Sequence, residues 1–433
     1  MKRPNRSTAA ALAVGAAITS LLLTGCGTGA SGNAAAAENL TAEDSGATLT
    51  LWVRPGNEAV TDAVVEQYNA THDNQVEITH VPADQYVTKF AAASQSGSLP
   101  DILAADLVFM PQIVQSGAAL DLTDLLDDSG ALDNLAPAHV QASTADGRVY
   151  GVPYVADTSL YVYNKDLFRQ AGLDPENPPT TWDGILEAAD AITALGDGNQ
   201  GFYISGGCTG CLAYDFTPTI WAQGAEVVKE DGSFDFDNQA TQDALAFMQQ
   251  LYENGDLPDT SKTDTGDGFF SVFASGKVGI DFAGGNGVNT ATLGTDPTFE
   301  FGLAPIPGAE DGQFATFSGG DVAAITKTTK HPAEAWDFIQ WLTSPETSED
   351  VYYNLPALPP RTDVTTPESL GEQFSVPAEL VKQGQTYVSP FYNEVVASAQ
   401  GPFLEMFQSV VFNGADPAEA TKQAQKAADA ITQ

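Results

Sequence analysis

The run from Val149 to Tyr163, VYGVPYVADTSLYVY, constrains this chain more than any other stretch. Aromatic and β-branched residues crowd it, the pattern of one or two buried strands. It is entered through an Asp146-Gly147 turn, and Asp157 interrupts it. A carboxylate inside a buried strand is costly unless it has a partner. Two readings stay open: local backbone N–H groups satisfy Asp157, or it turns into a cleft to receive a polar ligand. Beyond the run, Lys165 to Ala171 reads as a short helix stopped by Gly172, and Pro178-Pro179 as a stiff connection. The next helix spans Trp182 to Leu195, with Thr181 or Asp183 available as its cap.

Upstream, Thr48 to Val53 alternates as a strand and Val60, Val64 and Tyr68 repeat at helical spacing. Val76–Val81 reads as a second strand, Tyr86–Ser94 as a helix and Pro100–Ala104 as a third strand. This rhythm predicts an α/β fold with open, mostly parallel sheets flanked by helices, where ligands bind beyond the carboxyl ends of the strands. At 433 residues the chain has room for two large lobes. Arg54, Asn57, Glu58 and Asp106 lie just past strand ends and are candidate ligand contacts. Each has an ordinary alternative: Glu58 is also a first-turn helix acid, and Arg54 and Asp106 can pair with each other.

The termini speak to compartment. Lys2, Arg3 and Arg6 precede an apolar segment from Ala9 to Leu23, and Leu23-Thr24-Gly25-Cys26 closes it. This is the pattern of a signal peptide over residues 1–25, and the final four residues look like a lipobox, with lipidation of Cys26. Two acyl chains make a stable membrane anchor. Residues 26–46, rich in small and polar types, read as a flexible tether. No other apolar stretch is long enough to cross a bilayer. Lys and Arg total 17 against 57 Asp and Glu, a net charge of −40, which argues against nucleic acid as a partner. In Gly206-Gly207-Cys208-Thr209-Gly210-Cys211 the glycines allow a tight disulfide, favoured by an exported location. A redox pair or half a zinc site are the rivals, although His72, His80, His139 and His331 show no ligand spacing, so no metal is expected.

The order of Val-Tyr-Gly-Val-Pro-Tyr (149–154), Tyr-Asn-Lys-Asp-Leu-Phe (163–168), Ala-Gly-Leu-Asp (171–174) and Pro-Pro-Thr-Thr-Trp (178–182) resembles the family 1 extracellular solute-binding proteins, sugar receptors of ABC importers. The likeness covers roughly Leu49 to Thr432. It implies a two-lobed, type II periplasmic-binding-protein fold with three inter-lobe crossings, at about Val155, Pro307 and Thr343. The lobes would be 47–155 with 308–343, and 156–307 with 344–433. Phe317 to Ile325 looks like a returning strand that lines the cleft, and Phe269 to Phe282 like the helix, turn and strand leading to a glycine loop, Ala283 to Gly287. Gly287 and Val288 stand where the family often has an aromatic. No GxGxxG or Walker lysine marks that loop for a nucleotide. Arg361, after Leu355-Pro356-Ala357-Leu358-Pro359-Pro360, matches an arginine near the hinge or the site.

A sugar offers hydroxyls and apolar C–H faces, so its site needs carboxylates, amides and rings. The chain supplies Asp106, Asp157, Asn286 and Asp321, with Arg54, Asn57 and Arg361 as donors. Gly284, Gly285 and Gly320 let the backbone approach a ligand. Tyr154, Trp221, Phe282 and Phe403 are candidate platforms, each with core packing as its alternative; Trp221 leads, following the cysteine loop and preceding a Gln-Gly turn. The implied activity is capture of a carbohydrate by hinge closure and delivery to the permease of an ABC importer, by a monomer without cofactor or covalent chemistry. Two rivals remain. An exported glycoside hydrolase would need two facing carboxylates, and neither GxSxG nor HExxH occurs. A receptor of the same fold for a polyamine or peptide is the other.

Overall fold

The computed structural model describes residues 40–266, 271–284, 299–355, 357–366 and 375–433. The leader, Cys26, Phe269-Phe270, Gly285 and Asn286 lie outside the described residues. Eight strands form the main sheet: β1 (Thr48–Val53), β2 (Gln75–His80), β3 (Ile102–Asp106), β4 (Val152–Asn164), β5 (Gln200–Tyr203), β6 (Val278–Gly284), β7 (Phe301–Ala304) and β8 (Ser318–Ile325). Their order is β2-β1-β3-β8-β4-β6-β5, with β7 also paired to β4.

The alternation of Thr48 to Val53 buries Leu49, Leu51 and Val53. β1 pairs in parallel with β2 and β3, as the βαβ rhythm demands. β5 and β6 also run parallel. Between these flanks the sheet is antiparallel, because β8 and β4 pass between the lobes in opposite senses. β4 is the Val149–Tyr163 run made real, and it serves two partners. Val152 to Thr158 pair with β8, whereas Ser159 to Asn164 pair with β6 and β7. The first passage therefore falls at Thr158-Ser159, three residues beyond the Val155 expected.

Two large cores lie on either side of that switch. Leu51, Val64, Tyr68, Tyr154, Phe338 and Tyr352 belong to the first, and Tyr161, Phe202, Phe216, Phe282 and Phe403 to the second. Helix α1 (Glu58–Thr71) buries Val60, Val64 and Tyr68 in the first core. The short helix Lys165–Gln170 is capped by Asn164, whose side chain accepts from the Asp166 and Leu167 N–H groups at 3.0 Å each. Helix α2 (Trp182–Thr193) takes Thr181, not Asp183, as its cap, with Gly184 N donating to Oγ1 at 3.2 Å.

Packing shifts three boundaries from their expected places. Residues 40–46 are docked, not tether: Leu40 and Ala42 pack on the first core, and Asn74 Nδ2 donates to Glu43 O at 2.7 Å. Ile306 and Phe317 sit in the second core, and Trp182 Nε1 donates to Pro307 O at 2.9 Å, so the chain leaves that lobe along β8 and not at Pro307. Val351, Tyr352 and Ala357 lie in the first core, and Thr362 N still donates to Asn134 O at 2.8 Å. The third passage thus comes after Thr362, not at Thr343.

Gly320, in β8, has φ +107, a conformation that L side chains rarely adopt, and a Cβ there would stand 2.0 Å from Val155 O. Its role is to let β8 lie against β4. Gly320→Ala should lower unfolding free energy by about 2 kcal/mol or more, read as the shift of the urea midpoint with an unchanged slope.

Candidate functional site

The carboxyl ends of β1 and β3 bring one polar cluster together. Asp106 ends β3 and stands opposite Asp321 of β8 in the antiparallel register. Two carboxylates so placed repel each other, and Arg54, just past β1, resolves this. Its Nε donates to Asp321 Oδ1 at 2.5 Å and its Nη2 lies 3.3 Å from Asp106 Oδ2. Nη2 also donates to Gly320 O at 3.3 Å, and Asn57 Nδ2 donates to Asp321 Oδ2 at 2.8 Å. Burial opposes the guanidinium's charge, but Asp106 and Asp321 outweigh it and raise its pKa. Burial pushes the Asp106 carboxyl up; Arg54 works against that and Asp321 adds to it. Glu58 is spent locally, accepting from Gly56 N at 2.8 Å and fastening the loop that carries Arg54.

A second cluster faces the other side of the switch. Asp157 of β4 pairs in register with Gly319 of β8. Its Oδ1 accepts from Thr158 N at 2.8 Å, the local satisfaction expected as one alternative. Its Oδ2 points toward β6, for a Cβ added at Gly284 would stand 2.9 Å from it and 3.2 Å from the Tyr214 ring. At Gly319 a Cβ would meet the same ring at 2.6 Å, so glycines on both strands let Tyr214 lie against the sheet. Burial, then Asp157, hold the Tyr214 hydroxyl well above the ordinary tyrosine range.

The helix that delivers Tyr214, α3 (Thr209–Asp215), begins at the Cys208–Cys211 pair, which is a disulfide and neither a dithiol nor a zinc half-site. Cys208 Sγ also accepts from Cys211 N at 3.1 Å. Around Tyr214 runs an aromatic wall. Phe317 lies 5.3 Å from Tyr214, stacks on Trp221 at 5.5 Å and 28°, and lies 5.8 Å from Tyr387. Trp221 is 6% exposed, and its Nε1 finds no acceptor among the described residues.

The structure thus joins Arg54, Asn57, Asp106, Gly320 and Asp321 in one cluster, and Asp157, Gly284 and Trp221 in another region with Tyr214. Four expected contacts go elsewhere. Tyr154 is fully buried in the first core, its hydroxyl donating to Thr61 O at 3.3 Å. Phe282 packs edge-on to Phe202 at 4.9 Å in the second core, where Phe403 also lies. Arg361 is bound by both carboxylate oxygens of Asp363 at 2.9 and 2.6 Å and donates to Thr343 O at 3.1 Å, a brace for its own segment. Sequence reasoning placed Phe317 at the head of the cleft-lining strand without giving it a role, and it missed Tyr214. The glycines opposite Tyr214 were its only signal, and they are far away in sequence. Among the described residues no group of three or more His, Cys, Asp or Glu could hold a metal ion, and no helix is long and apolar enough to cross a membrane.

The model of bacterial extracellular solute-binding proteins matches residues 55–349, which include β3, β4, β8, Asp157, Tyr214 and all of the first polar cluster except Arg54. The chain belongs to that family. A protein of Brucella abortus named as a binding protein is 26% identical over 262 residues, which are 60% of this chain and 62% of that relative's length. A maltooligosaccharide ABC transporter solute-binding lipoprotein of Streptococcus pneumoniae is 24% identical over 378 residues, 85% of this chain and 84% of its own. Among solved structures, the cyclic alpha-maltosyl-1,6-maltose binding protein of Arthrobacter globiformis superposes with a TM-score of 0.74 at 28% identity, over 89% of this chain and 98% of that one. The two-lobed α/β architecture is that of such receptors.

One feature of this family member is chemical, not architectural. Asp215 and Asp281 are buried at 0% and 1% exposure, and both oxygens of Asp215 and Oδ2 of Asp281 lack partners among the described residues. Burial raises both carboxyls well above their ordinary 3.8; Asp281 and then Asp157 add to the shift at Asp215, and Asp264 to that at Asp281. Above pH 3.8 the unfolded chain releases these protons while the folded one retains them, so stability falls as pH rises toward the folded-state values. Asp215→Asn should therefore stabilise the protein at pH 7.5 and have little effect at pH 3.5. Urea unfolding at the two pH values checks this, and equal effects at both would show that the Asp215 carboxyl titrates alike in the folded and unfolded chain.

Proposed function

We propose that this chain is an extracytoplasmic sugar receptor, anchored by a lipidated Cys26, that captures a mono- or oligosaccharide and presents it to the permease of an ABC importer. The observation that carries this reading is the pairing of two unlike surfaces at one strand switch. Arg54, Asn57, Asp106 and Asp321 offer fixed donors and acceptors on one side. Asp157 and the Tyr214–Phe317–Trp221 wall offer a carboxylate and apolar ring surface on the other. Hydroxyls bind the first kind of surface and sugar C–H faces the second. Relatives named for maltooligosaccharide and for cyclic maltosyl-maltose support the same class. Closure of the lobes would be stabilised by the sugar's greater affinity for the closed form, with no bond made or broken. The receptor works as a monomer on this reading.

A thermal-shift screen of the purified protein against mono- and oligosaccharides, polyols, polyamines and peptides tests it. A solute that binds only the folded state raises the melting temperature with concentration, and one sugar class is expected to do so. Polyamines belong in the screen because Arg54 is already engaged and the other charged groups of the two clusters are carboxylates. A shift with polyamines or peptides alone would replace the sugar by that class.

Asp157→Ala and Trp221→Ala should each weaken binding of the responding sugar by about 1 kcal/mol or more, the scale of a charge-assisted hydrogen bond or a stacked ring. Titration calorimetry measures it, and unchanged affinity in both variants would remove these residues from the site.

A further inference from the structure

The lobes meet at a place distinct from the strands that join them. Helix Met110–Gln115 belongs to the first lobe, with Met110 and Ile113 packed beside Leu103, Ala105 and Val322. Opposite it, Asn393–Ala397 forms a single π-helical turn of the second lobe, with Val395 and Val396 in the second core. Asn393 Nδ2 donates to Gln112 Oε1 at 2.8 Å, across 281 residues of sequence. One residue earlier, Tyr392 meets Phe109 edge-on, ring centroids 6.1 Å apart and planes at 62°. Its other side lies 5.4 Å from Tyr387 of the aromatic wall. Val108 completes the contact by packing with the second core.

The π turn is what aims these two side chains. Such turns are rare, insert an extra residue into the helical repeat and recur at functional sites. It ends at Ala397, and Gly401 packs back against it, where a Cβ would stand 2.7 Å from Val395 O and 3.1 Å from Glu394 O. Tyr392 is 5% exposed, and the charges of Asp106 and Arg54 both act on its hydroxyl, so it lies between the first polar cluster and the wall.

We infer that Tyr392 and Asn393 form a latch between the lobes, in which the Asn393–Gln112 hydrogen bond and the Tyr392–Phe109 contact hold the closed arrangement without help from a ligand. The proposal rests on the two-lobed reading of the site and not on the identity of the solute. A receptor whose binding-competent form is already populated binds more tightly in proportion to that population. The latch thereby sets affinity without touching the solute.

The test needs no solute. Spin labels on Glu66→Cys and Glu253→Cys, exposed positions on helices of the first and second lobe, report the inter-lobe distance by double electron–electron resonance in the full chain. The parent should give a single distance. Asn393→Ala and Gln112→Ala should each add a longer one, and the combined variant should open no further than either single, since both remove the same bond. Gln112→Glu keeps an acceptor for Asn393 and should retain the parent distribution. Thermal melts confirm that each variant folds; for one that does not, the Gln112→Glu and Gln112→Ala comparison still decides. An unchanged distribution in both alanine variants, or additive opening in the combined one, overturns the latch. Because no sugar is present, either outcome leaves the sugar reading to its own test.

Discussion

Backbone hydrogen bonding along β4 is the constraint on which the rest depends. One strand of 13 residues gives its first half to β8 and its second half to β6 and β7. A strand that changes partners must leave room at the change, and that is where open α/β sheets bind ligands. The polar trio Asp157, Thr158 and Ser159 occupies that point in a strand otherwise apolar and aromatic as far as Tyr163. Gly319 on β8 and Gly284 on β6 lie beside it and admit the Tyr214 ring against the sheet, while Gly320 lets β8 lie against β4. Sequence and topology therefore converge on one location before any chemistry is considered.

Charge organises that location. Asp106 and Asp321 face each other in register, and only a shared cation makes their approach tolerable. Arg54 is that cation, and holding both acids leaves its fork already occupied. The cluster consequently presents oriented oxygens and the Asn57 amide more than free positive charge, which suits a neutral polyol and disfavours an anion. The net charge of −40 points the same way over the whole surface.

Elements set by short-range chemistry were legible in the sequence. The alternation of β1, the Thr181 cap, the tight Cys208–Cys211 bridge and the long apolar run all depend on neighbours within a few residues. The family resemblance added the two-lobed plan, which the fold bears out. What the chain did not disclose is which face of a strand looks into the cleft. Tyr154 and Phe282 have the same alternation and ring chemistry as a platform would, yet both point into cores. Tyr214 and Phe317 stand beside Asp157 and Trp221, and Tyr392 meets Phe109 of the other lobe, but they come from a short helix, a strand lead-in and a π turn, none of which has a periodic signature. The passages at Pro307 and Thr343 were misplaced for a related reason. Proline and helix ends mark turns, whereas a lobe boundary is decided by which core the following residues join.

Two opposed terms then govern closure. The Asn393–Gln112 bond and the Tyr392–Phe109 contact favour the closed arrangement, each worth on the order of 1 kcal/mol. Against them stand polar atoms buried without partners among the described residues, including Trp221 Nε1, Thr158 Oγ1 and Ser318 Oγ, each of which costs a comparable amount while it lacks one. Thr158 and Ser318 are register partners at the strand switch itself, so part of this cost sits where the lobes hinge. A solute that brings hydroxyls to the indole N–H lowers that cost. Its differential affinity, and not the strength of any one contact, is what shifts the population. A latch that nearly balances the unsatisfied groups lets a modest number of hydrogen bonds to the solute decide the outcome.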